Sequence, residues 1–128
     1  MVLRSPFVYY EYNTMEQTTI SPSLDNSTCP VARTAKIISG KWTLLIIRDL
    51  ASGVKRFNQL ERSLDGISPK TLSERLRYLE DKGIVFRQTF AEVPPRVEYS
   101  LSERGHDLVD VIECMRCYGN HWLCDASH

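Results

Sequence analysis

Apolar residues recur along the chain with two different periods, and the places where the period changes mark out the elements. Residues 16–28 (Glu-Gln-Thr-Thr-Ile-Ser-Pro-Ser-Leu-Asp-Asn-Ser-Thr) are polar and follow neither period, so residues 1–28 read as an N-terminal arm, flexible or partly ordered. Cys29-Pro30 opens a helix, because proline at the first helical position lacks only an N–H that has no partner there. Val31, Ala35 and Ile38 share one face of it, and Gly40 ends it. Trp42, Leu45, Ile46 and Leu50 mark a second helix from Lys41 to Ala51, stopped by Ser52-Gly53. A short third helix, Phe57 to Ser63, turns Phe57, Leu60 and Leu64 inward. After the turn Asp65-Gly66-Ile67, Ser68 is placed as an N-cap and Pro69 as the first residue of a fourth helix. Leu72, Leu76 and Leu79 recur there at i, i+4 and i+7, and the helix runs to Lys82 with Gly83 as its terminator. The period then falls to two. Residues 84–90 and 97–101 predict strands, joined through a hairpin tip at Glu92-Val93-Pro94-Pro95-Arg96. Ser102 predicts the cap of one continuous last helix to Trp122, with Leu108, Ile112, Met115 and Trp122 on one stripe.

Helix, helix, helix–turn–helix, two-stranded wing and last helix, with three short helices forming a small bundle, make an α+β, mainly helical chain: a winged helix-turn-helix. An α-helix fits the major groove of DNA and brings donors on its first turn to base edges. The first turns of the fourth helix carry Ser68, Lys70, Thr71, Ser73 and Glu74, with Arg77 one turn further along. Arg56, just before the third helix, is a candidate phosphate contact. Arg96, stiffened by two preceding prolines, is a candidate wing contact to phosphate or the minor groove. Arg75 borders the core and has Glu61 or Glu80 as candidate partners. Trp42, Phe57 and Tyr99 follow helix or strand periodicity and read as core.

Total charge by itself opposes a polyanionic partner. The 128 residues hold 16 Lys+Arg against 16 Asp+Glu, a net charge of zero. Divided along the chain, the balance dissolves. Residues 29–97 carry thirteen basic against seven acidic residues, and the two ends carry three against nine. Screening confines fields to ~8–10 Å, so the basic middle can meet an anion whatever the total. Length fits one domain, 29–128, beyond the arm, and 42% hydrophobic with 25% charged residues is ordinary globular composition. No apolar run approaches the ~20 residues of a membrane-spanning helix, and the first residues lack the h-region of a signal peptide. Four cysteines (Cys29, Cys114, Cys117, Cys124) are too sparse for a disulfide scaffold, so a reduced, cytoplasmic setting is expected. Met15 is an alternative start, which would make residues 1–14 dispensable.

From residue 29 onward the chain resembles the HxlR-type family of bacterial transcriptional regulators, which are MarR-like winged-helix proteins. The resemblance rests on Cys29-Pro30, on Gly40-Lys41-Trp42-Thr43-Leu44-Leu45-Ile46, and on Arg56-Phe57-Asn58-Gln59-Leu60. It continues through Gly66-Ile67-Ser68-Pro69-Lys70-Thr71-Leu72-Ser73-Glu74-Arg75-Leu76, Leu79-Glu80, and Gly83-Ile84-Val85 with Arg87. Val93-Pro94-Pro95-Arg96-Val97-Glu98-Tyr99-Ser100-Leu101-Ser102, Gly105 and Leu108 complete it. Tyr118-Gly119 stands where the family often shows Trp-Gly. The resemblance implies a homodimer on inverted-repeat double-stranded DNA, with the terminal helices building the dimer and a small-molecule or oxidant effector in some members. It also implies that a cysteine at the Cys29 position serves as a sensing thiol in such members.

The residues themselves add a reason for Cys29. The N-terminal end of a helix favours negative charge, the setting in which a thiolate reacts, and Arg33 lies one turn on. The bland alternative is a small hydrophobe that merely begins the helix. The tail sequence Cys114-x-x-Cys117, His121, Cys124 invites a metal, but on one helix Cys114 and Cys124 lie about 15 Å apart at ~1.5 Å per residue. Four ligands must converge on one ion, so no metal is expected and buried thiols at the dimer seam are the preferred reading. No nucleophile–base pair, Gly-rich phosphate loop or paired-carboxylate site is present, so neither catalysis nor a cofactor is expected. Two alternatives stand beside the DNA-binding regulator: a thiol or metal protein using Cys114 and Cys117, and a winged helix used only for protein contacts.

Overall fold

The computed structural model describes residues 28–124, so the expected arm lies outside them except for Thr28. The described residues fall into two units, 28–36 and 37–124. Helix α1 (Pro30–Ile37) begins at the expected proline, and the Arg33 N–H donates to the Cys29 carbonyl at 2.9 Å. Its expected inward face is split: Ile38, just beyond the helix, is half-buried against the core, but the other two positions are open. Val31 is 77% exposed and Ala35 is exposed as well.

In the second unit the elements are α2 (Lys41–Leu50), β1 (Lys55–Arg56), α3 (Phe57–Ser63), α4 (Pro69–Asp81), β2 (Val85–Phe90) and β3 (Arg96–Leu101). They are followed by α5 (Glu103–Asp107), α6 (Val109–Tyr118) and a π-helical turn, Gly119–Leu123. Ile46, Ile47 and Leu50 of α2 meet Leu60 and Leu64, the three leucines of α4, and Ile84, Val85, Tyr99 and Leu101 of the wing region in one buried core. Trp42, Phe57, Leu108 and Ile112 pack against its edge, as their periodicity predicts. The sheet order is β1-β3-β2, all antiparallel. Strand β1 is too short to carry a period. Its Arg56 doubles as the cap residue of α3, donating its backbone N–H to Gln59 Oε1 at 2.7 Å.

The last helix departs from expectation. It breaks at Leu108, whose N–H reaches back only three residues to the Gly105 carbonyl at 3.0 Å, tightening the turn between α5 and α6. Beyond Tyr118 the spacing widens, and the Cys124 N–H donates five residues back to the Gly119 carbonyl. The apolar stripe is therefore split. Leu108 and Ile112 pack on the core, whereas Met115 (48%), Tyr118, Trp122 (67%) and Leu123 are exposed.

Ser102 ties β3, α5 and the start of β2 together. Its hydroxyl accepts the Gly105 N–H at 3.0 Å and lies 2.6 Å from the Gly83 carbonyl, and the side chain is buried. Ser102→Ala removes a cap and leaves buried groups unpaired, so it should cost about 1–2 kcal/mol, read from the urea midpoint. A loss no larger than that of an exposed serine such as Ser73 would refute this role.

Candidate nucleic-acid interface

Helix α4 starts where Asp65-Gly66-Ile67 lets the chain turn sharply after α3. Gly66 has φ +94°, a conformation that side-chain-bearing residues adopt at a cost. Ser68 then caps α4 by accepting the Thr71 N–H at 3.1 Å, and its hydroxyl also donates to Thr71 Oγ1 at 3.0 Å. With Leu72, Leu76 and Leu79 turned into the core, Lys70, Ser73, Glu74 and Arg77 are forced outward and all are exposed. Among the described residues none of these four side chains makes a hydrogen bond or ion pair. Ser68 and Thr71, by contrast, spend their hydroxyls on each other and on the helix start.

Arg75 does not pair with Glu61 or Glu80; its guanidinium lies over the Tyr78 ring at 5.1 Å. Tyr78 also has the Lys82 ammonium over its ring at 5.6 Å, and its hydroxyl donates to the Ile37 carbonyl at 3.3 Å. These contacts brace the middle of α4 rather than offering it to a ligand.

The wing presents its cations differently from the sequence reading. Arg96 is the first residue of β3, cross-strand from Phe90, and its guanidinium lies over that ring at 4.0 Å. Glu92 at 3.2 Å and Glu98 at 3.4 Å pair with it, leaving its side chain only 26% exposed. It is drawn back from the tip rather than held out at it. Arg56 is exposed and stands in register with Glu98 on the same sheet face. Arg87, which the sequence reading passed over, is the residue the structure adds. It lies on β2 and borders a cleft of about 310 Å³ together with Ser73, Leu76, Arg77, Glu80 and Tyr99.

Cys29 stands half-buried immediately before α1. Cys114 and Cys117 are exposed on α6 of the single chain, and Cys124 follows the π-helical turn. His121 sets its ring edge-on to Trp122 at 4.5 Å between centroids. Among the described residues no group of three or more His, Cys, Asp or Glu side chains is placed to hold a metal ion. An apolar groove of about 250 Å³ runs between α2 and α6, lined by Leu44, Leu45, Ile112 and Met115 with Arg48 and Arg116 at its rim. Among the described residues no helix is long and apolar enough to cross a membrane.

Helices α3 and α4 joined by a short turn, with the β2–β3 hairpin beside them, define a winged helix-turn-helix protein. The particular family follows from comparison: the chain belongs to the HxlR-like helix-turn-helix family, whose model matches residues 37–127. Its sequence is 38% identical over 123 residues to the HTH-type transcriptional regulator sll1512 of Synechocystis, covering 92% of this chain and 91% of that protein. A MarR-family regulator from Porphyromonas gingivalis has a similar structure, with TM-score 0.74 and 38% identity, covering 83% of this chain and all of that one. The redox regulator HypR in its oxidized form is similar too, with TM-score 0.71 and 38% identity, covering 76% of this chain and all of that chain.

Proposed function

We propose that this chain is a sequence-specific, DNA-binding transcriptional regulator, not a catalyst, that acts as a homodimer on an inverted-repeat operator. The observation that carries the reading is the outward face of α4, where Lys70, Ser73, Glu74 and Arg77 are exposed with no protein partner among the described residues. A helix that uses one face for the core and leaves donors of this kind free on the other suits insertion into the major groove. Lys70 and Glu74 stand on the leading turns and read base edges, while Ser68 and Thr71 keep the helix start rigid. Arg56 supports the complex as a phosphate contact. Arg96 organises the hairpin and reaches DNA only by giving up a carboxylate.

The dimer reading is supported by the apolar side chains left open, Val31 on one element and Met115, Tyr118, Trp122 and Leu123 on another. Exposed groups of this size at two terminal elements suit a second copy of the chain. Selection of duplexes from a random pool tests the whole reading. A palindromic winner with half-site centres about one helical turn, ~34 Å, apart supports a dimer, and no enrichment refutes DNA recognition.

Likeness to a redox regulator and the place of Cys29 before a helix support an oxidant or electrophile response through that thiol. Cys29→Ser should leave DNA affinity in reductant unchanged and abolish its loss or gain on treatment with diamide. An unaltered diamide response in that variant removes Cys29 from the mechanism.

A further inference from the structure

Strand β2 breaks the rule of its own alternation. Val85 is buried and Tyr99, cross-strand from Arg87, is buried too, so Val85, Arg87 and Tyr99 belong to the sheet face turned toward the core. An arginine there replaces the apolar residue that alternation calls for, while Phe86 on the opposite face is 59% exposed. Such an inversion raises no core packing and is the pattern expected where a cation is needed at a site. Among the described residues the Arg87 guanidinium keeps one internal contact, donating to Thr89 Oγ1 at 3.3 Å, and has no carboxylate partner. Across the cleft stand Ser73, Arg77 and Glu80, which share one face of α4 at i, i+4 and i+7. The floor is Leu76 and Tyr99, both buried, so an anion in the cleft is partly shielded from solvent and its attraction to the two guanidinium groups is less screened.

We propose that Arg87, with Arg77 and the Ser73 hydroxyl, forms a seat for one backbone phosphodiester of bound DNA at the junction of α4 and the wing. This inference rests on the DNA-binding reading above and adds to it a phosphate contact that fixes the register of α4 in the groove. Two arginines present planar forks suited to phosphate oxygens. Glu80 lines the same cleft and opposes an anion there, but the two guanidinium groups outnumber its one carboxylate.

The test compares wild type, Arg87→Ala and Arg87→Lys, each as the full chain, on the selected duplex and on a scrambled one over a range of salt. Arg87→Ala should weaken both duplexes by the same factor and flatten the slope of log K against log salt by about 0.9 per bound subunit, and Arg87→Lys should restore the slope. Duplexes carrying one neutral methylphosphonate linkage give a reading that does not depend on a variant fold. Wild type should lose affinity at each contacted linkage, and Arg87→Ala should be indifferent to one of these per half-site while staying sensitive to the others. An unchanged slope in Arg87→Ala, or a loss confined to the selected duplex, overturns the seat. So does relief of the Arg87 dependence by inorganic phosphate at fixed ionic strength, which would make the cleft a free-anion site. If wild type binds no duplex at any salt, the DNA reading itself falls, an outcome distinct from binding that ignores Arg87.

Discussion

Gly105→Ala is expected to destabilise the folded chain by about 3 kcal/mol, the upper part of the range for overpacking a tight site. A Cβ at position 105 would overlap the Ile84 carbonyl oxygen and come within 3.0 Å of Leu101 Cδ2 and 3.2 Å of Ile84 Cγ2. Side chains can rotate away, but a backbone carbonyl cannot. That carbonyl already accepts the Ser102 N–H at 2.9 Å, so moving it breaks the link between the start of the wing and its end. Alanine's better helix propensity offsets only about 1 kcal/mol of this. Urea unfolding should show a lower midpoint at unchanged m. A loss below about 0.5 kcal/mol would mean that α5 slides freely on the wing, and that the α5–β2 approach does not fix the hairpin's position.

The second large effect concerns recognition. Lys70→Ala should weaken binding to the selected operator by about 1–3 kcal/mol and relax sequence preference at one position of each half-site, as expected for loss of a contact to guanine O6 and N7. Lys70 is chosen because it is exposed on the first turn of α4 and has no protein partner among the described residues, so its removal disturbs no packing. Equal weakening on every duplex would assign Lys70 to phosphate instead, and leave base reading to Glu74.

How far these residues could be read in advance depended on how local their signals are. Helix α4 was legible because everything that makes it is adjacent in sequence: the Ser68 cap, Pro69, three leucines at helical spacing and Gly83 after it. Its outward face followed from the inward one. Strand β1 was not legible, since two residues have no period and pair only because β3 passes beside them. The break at Leu108 follows Gly105, whose close approach to Ile84 joins segments some twenty residues apart and leaves no local signal. Arg87 was missed for a related reason. Val85-Phe86-Arg87-Gln88-Thr89-Phe90 does not alternate apolar with polar, so its sequence does not say which face is covered, and only the packing of α4 on the sheet decides it. Arg96 has its carboxylates at 92 and 98, but their convergence on one guanidinium requires the hairpin register that puts Phe90 opposite. Met115 and Trp122, read on one stripe with Leu108 and Ile112, are exposed because periodicity marks a face without saying what covers it.

The central claim, that a neutral chain binds DNA through a basic helix-turn-helix, is tested most directly by titrating the selected duplex and a scrambled duplex against salt. The account predicts that log K falls linearly with log salt for both, with the selected duplex at least about 10³-fold tighter at physiological salt. A flat dependence, or equal affinity for the two duplexes, would contradict it.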